Sequence, residues 1–287
     1  MIIGTRGSDL ARVQTDTVVS MLKERRPDIN VDVKIVKTTG DIVKDKPLSE
    51  MGSPGVFTKE LDRLIISGEV DAAVNSLKDM PVDLTEGTEL AAVLPRAPSE
   101  DVLISRVSFE QLPSGAVVGT SSTRRRMQLI SYRPDLDIRD LRGNVPTRIR
   151  KWKEGEYDAI VAARAGLVRL GLDEECHILD PDIFIPAPGQ GAVAVVCRAD
   201  SPYLSVLQEL DDIKARKEVE AERFVLKALG GGCSMPIGVS SRVVDENMHI
   251  KALVNSEHGD VRVERTLTLD DYEGLNDLVQ ELLEGMS

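Results

Sequence analysis

Four short strings combine residue types able to do chemistry. Thr120-Ser121-Ser122-Thr123-Arg124-Arg125-Arg126 places hydroxyls and three cations where a strand gives way to a helix. Helix N-termini present unpaired N–H groups and the positive end of the macrodipole, which favour anions. Cations in a first turn oppose that dipole, so three arginines there point to an anionic ligand, and a guanidinium fork binds a carboxylate through two parallel hydrogen bonds. A solvated basic face paired with Asp135, Asp137 and Asp140 fits the same string equally well. Further basic residues follow at Arg139, Arg142, Arg148, Arg150 and Lys151. In Leu141-Arg142-Gly143-Asn144-Val145-Pro146-Thr147-Arg148 a Gly-Asn turn leads to a proline in the first helical turn, and Arg142 and Arg148 flank it facing one cleft; ordinary turn chemistry also explains the string. Asn75-Ser76-Leu77-Lys78-Asp79-Met80-Pro81 sets Asp79 just past a strand end, where open α/β sheets place ligands. A carboxylate there could stabilise a developing cation or pass a proton, although a cap or turn is the commoner role of one aspartate. In Leu229-Gly230-Gly231-Gly232-Cys233-Ser234-Met235-Pro236 three glycines allow close backbone approach, and the Cys233 thiolate could be a covalent anchor; a small buried residue after a helix end is the other reading.

Other chemistries find little support. The histidines are His177, His249 and His258, with no HExxH and no close His/Cys cluster, so no metal site is expected. There is no P-loop and no GxGxxG after a strand. A formal net charge of −12 disfavours nucleic acid and anionic membranes as partners, because the far field repels polyanions. The cysteines Cys176, Cys197 and Cys233 form no CxxC pair, which argues for a reducing compartment. Cys197 lies in an apolar strand and reads as buried, and Cys176 beside His177 reads as an incidental loop residue. No leader and no bilayer-length apolar run is visible, so the expected location is cytoplasmic.

The elements that must position these strings alternate between strand and helix. Ile2-Ile3 reads as a strand, followed by a helix from about Ser8 with Leu10, Val13, Thr17, Val18 and Met21 on one face. Val31, Val33 and Ile35 read as a strand, Phe57 to Ile65 as a helix stopped near Gly68, and Val70 to Val74 as a strand. The pattern implies a parallel or mixed sheet covered by helices. Pro95 and Pro98 mark a linker. A second α/β run has strands at Val117-Val118, Ile138 and Ala159 to Ala163, with helices over about Ser122 to Tyr132 and Val145 to Lys153. After Pro181, Pro186 and Pro188, Ala192 to Cys197 reads as a buried strand that rejoins the first domain. A helix over about Asp212 to Leu229, strands at Ile237 to Val244, His249 to Val254 and Val261 to Leu269, and a last helix around Leu275 to Leu282 form a small α+β domain.

Taken in order along nearly the whole chain, the strings resemble those of the porphobilinogen deaminase (hydroxymethylbilane synthase) family. They are Thr5-Arg6-Gly7-Ser8 with Leu10-Ala11 and Gln14, Asn75 to Pro81, Gly119-Thr120-Ser121-Ser122 with Arg124-Arg125, Leu141-Arg142-Gly143-Asn144 with Thr147-Arg148, Ala165-Gly166-Leu167 with Arg169-Leu170-Gly171, Pro188-Gly189-Gln190-Gly191-Ala192, and Gly231-Gly232-Cys233 with Pro236-Ile237-Gly238. The resemblance implies an α/β chain of two periplasmic-binding-protein-like α/β domains plus a small C-terminal α+β domain. Domain 1 would span 1–94 with 192–209, domain 2, with an arginine-rich cleft face, 98–187, and domain 3, with the cofactor cysteine, 211–287. It implies a transferase of heme and tetrapyrrole biosynthesis that joins four porphobilinogen molecules into hydroxymethylbilane on a dipyrromethane cofactor, itself a thioether on Cys233. Asp79 matches the catalytic aspartate, which would assist loss of ammonia and stabilise the cationic azafulvene. Ser76, Lys78, Asp79, Thr120, Ser122, Arg124, Arg125 and Arg148, with Cys233, match cofactor-binding positions. Arg6, Ser8, Arg142, Arg148 and Arg169 match positions that bind the acetate and propionate groups of incoming pyrroles. A monomer is expected by family analogy.

The chain departs from the family pattern in places. Gly52-Ser53-Pro54-Gly55 lacks the usual lysine, Asn75 stands where many members have His, and Thr39-Gly40-Asp41 lacks an arginine. Two rival readings are a two-domain small-anion receptor, which would share the fold and arginines but gives no reason for Cys233 together with Asp79, and an inactive homologue.

Overall fold

The structure is a computed structural model and describes residues 1–36, 58–172, 174–231, 235–256 and 259–286. In chain order the main elements are β1 (Ile2–Arg6), α1 (Asp9–Arg25), β2 (Asp32–Val36), α2 (Lys59–Ile66), β3 (Ala72–Ser76), β4 (Thr88–Val93), β5 (Asp101–Ile104), β6 (Val117–Gly119), α3 (Thr123–Tyr132), β7 (Asp137–Arg139), α4 (Val145–Lys153), β8 (Ala159–Ala163), α5 (Arg164–Leu170), β9 (Cys176–Ile178), β10 (Val193–Arg198), α6 (Leu204–Gln208), α7 (Ile213–Ala228), β11 (Ile237–Val244), β12 (Asn247–Ser256), β13 (Gly259–Thr268) and α8 (Tyr272–Met286). They fall into two compact units, 1–97 with 192–216, and 98–191 with 217–287.

The first unit is built on a mixed sheet of order β2-β1-β3-β10-β4. β1 runs parallel to β2 and β3, with Ile3 opposite Val33 and Ala72, whereas β10 is antiparallel to both β3 and β4. The second unit repeats the plan in the order β7-β6-β8-β5-β9, with β6 parallel to β7 and β8 and β5 antiparallel to β8 and β9. In each sheet the reversed fourth strand is the one the chain makes just after entering that unit, β5 after residue 98 and β10 after residue 192. The α/β expectation of two sheets followed by a small α+β part is met. The third sheet is the antiparallel meander β11-β12-β13, backed by α7 and α8.

Burial explains the apolar runs. Ile3, Val18, Leu22, Val74, Val195 and Leu207 share one core of the first unit. The second sheet is covered on both faces, by Leu103, Val118, Leu129 and Val161 on one side and Val102, Ile104, Leu141, Ile149 and Ile160 on the other. A strand buried on both faces needs no alternation, so Ala159 to Ala163 reads as a continuous apolar string. Removing such a side chain, as in Leu103→Ala, costs about 2–5 kcal/mol.

Three readings differ from the structure. The buried face of α1 is Ala11, Gln14, Thr15, Val18 and Leu22, rather than the expected stripe of Leu10, Val13, Thr17, Val18 and Met21. Two of its members are polar and are kept inside by hydrogen bonds: the Thr15 hydroxyl donates to Thr5 Oγ1 at 2.7 Å and Gln14 Nε2 donates to Ser76 Oγ at 2.8 Å. β4, β5, β9, α5 and α6 are elements that the sequence reading did not separate. Cys176 lies on edge strand β9 and not in a loop, and is exposed; Cys197 is buried in β10, and burial pushes its thiol up to about 11.

Within the second unit the segment 185–191 is held by the meander and α7. Val239 N donates to Pro186 O at 2.9 Å, and Gly189 N donates to Glu222 Oε2 at 2.7 Å. Glu222 is fully buried, and its other oxygen accepts from Ser241 N at 2.7 Å. A Cβ on Gly238 would stand 2.6 Å from Ile185 O, so only glycine admits this approach.

Candidate functional site

In the first unit the candidate residues gather at one sheet edge. β1 and β3 are parallel neighbours, so their C-terminal residues, Arg6 and Ser76, end at the same edge. Ser8 then caps α1, its side chain accepting from Ala11 N at 3.4 Å, and Asp9 follows in the first turn, the sign that a helix N-terminus favours. After Ser76 the chain tightens into one 3₁₀ turn, Leu77–Asp79. Leu77 is buried and its N–H donates to Ala192 O at 3.1 Å, which fixes the turn and leaves Lys78 and Asp79 half-buried at the edge. Asn75 is 5% exposed, and its Nδ2 has no hydrogen-bond partner among the described residues. The structure therefore brings Arg6, Ser8, Ser76, Lys78 and Asp79 together on the carboxyl edge of the parallel strands, the ligand-binding edge of open α/β sheets.

The second unit places its candidates on the corresponding edge. β6, β7 and β8 are parallel and end at Gly119, Arg139 and Ala163. Gly119 packs tightly: a Cβ there would meet Tyr157 Cδ1 at 2.8 Å. Thr120 is fully buried, its N–H donates to Arg139 O at 2.9 Å, and its Oγ1 accepts from Ser122 N at 3.2 Å. Ser122 caps α3, accepting from Arg125 N at 3.4 Å. Ser121 Oγ donates to Leu141 O at 2.8 Å and ties this loop to the one after β7. In that second loop Asn144 caps α4, and Arg148 Nε donates to Gly143 O at 2.7 Å. Gly143 has φ +117°, a conformation that glycine tolerates.

The arginines separate into distinct roles. Arg126 pairs with Asp140 at 2.7 Å on the surface, as do Arg133 with Asp135 and Arg139 with Asp137, so the solvated-face reading holds for Arg126. Arg124 and Arg125 behave differently. They are 4% and 8% exposed and converge on Asp101, itself 1% exposed, at 2.8 and 2.7 Å. Arg124 Nη1 also donates to Ile185 O at 2.8 Å, Arg125 Nη1 to Val161 O at 3.2 Å, and Gln190 Nε2 to Asp101 Oδ1 at 2.8 Å. Burial alone would raise the Asp101 carboxyl, but the two guanidinium groups and the Gln190 amide outweigh it and hold it well below the usual carboxylate range. Two cations and one carboxylate leave one net positive charge in a buried site, and the Nε–H of each guanidinium has no partner among the described residues. Arg142 and Arg169 are half-buried and make no ion pair among the described residues. Arg169 Nη2 donates to Gly191 O at 2.6 Å, and burial lowers its guanidinium below the ordinary value. An edge with hydroxyls, capped helix N-termini and an excess of guanidinium charge can hold a ligand carrying several carboxylates.

Cys233 lies outside the described residues, as do Gly232, Ser234, Thr39-Gly40-Asp41 and Gly52 to Gly55. Of the flanking chain, Gly230 takes φ +66° just past α7, and a Cβ on Gly231 would meet Leu226 Cδ1 at 2.6 Å. Sequence reasoning missed Asp101, which opens an apolar run without a local mark, and the buried hub Glu222. Gln190 belongs to Pro188-Gly189-Gln190-Gly191-Ala192, a string that in the sequence carries no assigned residue role.

Residues 1–205 match the family model described as porphobilinogen deaminase, dipyromethane cofactor binding domain, and residues 216–287 match the one described as porphobilinogen deaminase, C-terminal domain. The chain is 44% identical to the porphobilinogen deaminase of Desulforudis audaxviator, over 99% of this chain and 94% of that one. It is 44% identical to the porphobilinogen deaminase of a Roseiflexus species, over 90% of this chain and 87% of that one. Among solved structures, its backbone is similar to an ancestral cationic amino acid solute binding protein, at TM-score 0.45 and 16% identity over 73% of this chain and 87% of that one.

Proposed function

The chain belongs to the porphobilinogen deaminase family, and we propose the following division of labour among its residues. The reaction is the deamination and head-to-tail joining of four porphobilinogen molecules into hydroxymethylbilane. The dipyrromethane group, bound as a thioether to Cys233, supplies the pyrrole end on which the chain is extended. Ser76, Lys78, Asp79, Thr120, Ser122, Arg124, Arg125 and Arg148 are its binding residues. The residues fit such a group: a buried cluster with one uncompensated positive charge suits a carboxylate-bearing ligand.

Arg6, Ser8, Arg142, Arg148 and Arg169 bind the acetate and propionate of each incoming pyrrole. Asp79 acts on the aminomethyl carbon. As ammonia departs, that carbon becomes positive, and a fixed carboxylate stabilises it at no reorganisation cost. The observation that carries this reading is the guanidinium excess on one sheet edge of an otherwise acidic protein, since each added ring brings two more carboxylates. The chain divides into domain 1 (1–94 with 192–209), domain 2 (98–187) and domain 3 (211–287), and works as a cytoplasmic monomer without nucleic-acid or membrane partners. Among the described residues no helix is long and apolar enough to cross a membrane.

The test of Asp79 is Asp79→Asn. The variant keeps its fold and its two-ring adduct by intact mass, and hydroxymethylbilane formation falls by about 10²–10⁴-fold. Near-normal turnover in a primed Asp79→Asn protein removes Asp79 from this role.

A further inference from the structure

Arg124 and Arg125 are adjacent on α3, so their side chains leave the helix about 100° apart. Both nevertheless end on one carboxylate, one oxygen each: Arg124 Nη2 on Asp101 Oδ2 and Arg125 Nη2 on Asp101 Oδ1. Gln190 completes the arrangement, with its Nε2 2.8 Å from Asp101 Oδ1 and 2.6 Å from Ser99 O, and its Oε1 3.4 Å from Arg125 Nη2. Asp101 opens β5, three residues after the chain enters the second unit at Pro98, and Gln190 lies one residue before the unit's first segment ends at Gly191. One carboxylate thus gathers the two arginines and both ends of that segment.

Stability alone does not account for this choice. A buried ion-pair cluster of this kind is often matched or bettered by apolar residues of similar volume, because desolvating three charges offsets their attraction. The arrangement also leaves donors uncommitted: of the five N–H groups on each guanidinium, Arg124 uses two and Arg125 three among the described residues. What Asp101 achieves is a fixed separation and orientation of two guanidinium groups that would otherwise repel, at a combined charge of plus one. We propose that Asp101, supported by Gln190, is the positioning residue of the primer site, holding Arg124 and Arg125 preorganised for a pyrrole carboxylate. The inference rests on the reading above, in which those two arginines hold the primer.

Asp101→Asn tests it, because the amide keeps the shape and removes the charge. Three quantities are measured: the fraction of chains carrying the two-ring adduct by intact mass, the turnover per primed molecule, and the melting temperature. The primed fraction falls, and turnover per primed molecule drops about tenfold to a hundredfold, the scale of a small misplacement of binding groups. Adding Gln190→Glu to Asp101→Asn returns a negative charge beside Arg125 and recovers part of the primed fraction. A purely structural Asp101 lowers only the melting temperature; primed fraction and per-molecule turnover within about twofold of the unsubstituted protein overturn the proposal. Should Asp101→Asn yield no folded protein, Gln190→Ala decides the matter. A loss of turnover per primed molecule of about threefold or more supports the proposal, and no loss overturns it. Failure of the underlying functional reading has a separate signature, an unsubstituted protein that carries no two-ring adduct and makes no hydroxymethylbilane.

Discussion

Glu222→Gln tests how the second unit is held together. The Glu222 carboxylate is fully buried, with Oε1 accepting from Ser241 N at 2.7 Å and Ser241 Oγ at 3.2 Å, and Oε2 accepting from Gly189 N at 2.7 Å. A glutamine offers one carbonyl oxygen in place of two acceptors, so its NH₂ must face one of the two backbone N–H groups. Leaving one buried donor unmade costs about 1–3 kcal/mol. The surviving bonds change from charge-assisted to neutral, which weakens them by about half. Relief from burying a charge works in the opposite direction, so the net loss is about 2–3 kcal/mol. In a unit of this size that lowers the melting temperature by about 5–10 °C. Trp152, the chain's one tryptophan, lies in α4 of the same unit with Nε1 3.2 Å from Asp158 O, so its fluorescence reports this transition. Ser241→Ala is the control. It removes the hydroxyl, whose one hydrogen is shared between Glu218 O and Glu222 Oε1, and costs about 1 kcal/mol. A shift under about 1 °C for Glu222→Gln, or a larger shift for Ser241→Ala, refutes the assignment of Glu222 as the hub.

Asp62 is buried, which raises its carboxyl above the ordinary value, while the Thr85 hydroxyl, 2.7 Å away, pulls it down less strongly. Its folded value exceeds the unfolded one, so ionising it destabilises the fold at neutral pH, and the penalty fades as pH falls through the folded value toward the unfolded one. Asp62→Asn, which still accepts from Thr85, therefore raises the urea midpoint at pH 7 and converges with the unsubstituted protein near pH 3–4; a lowered midpoint at pH 7 contradicts this. The buried Cys197 thiol, pushed up to about 11, resists iodoacetamide at pH 8 in the folded protein, whereas exposed Cys176 is alkylated. Peptide mapping before and after denaturation checks this, and equal labelling of the two in the native protein is the contrary outcome.

Local chemistry made the helices after β6 and β7 legible in the sequence. Ser122 and Asn144 are N-caps and Pro146 fits a first turn, so α3 and α4 could be placed closely. β5 is hidden because Asp101-Val102-Leu103-Ile104, a short run soon after Pro98, looks like the tail of a linker, and only pairing with β8 and β9 makes it a strand. The buried face of α1 was misread because Gln14 and Thr15 count as polar in any periodicity, yet Ser76 and Thr5 satisfy them inside. Among the arginines the sequence could not sort Arg124 and Arg125 from Arg126. What separates them is Asp101, more than twenty positions upstream and brought beneath α3 by the sheet. The residue types at the two strand edges were readable, but the tertiary partners that orient them were not.

In the proposed function a cysteine-anchored pair of pyrrole rings serves as primer. Intact-mass measurement of the purified protein, paired with Ehrlich's reagent, tests it most directly. The unsubstituted chain is expected to carry a mass excess of two pyrrole units and to give a colour reaction, with both absent in a folded Cys233→Ala variant. An unmodified polypeptide from a host that supplies porphobilinogen, or an adduct that survives Cys233→Ala, contradicts it.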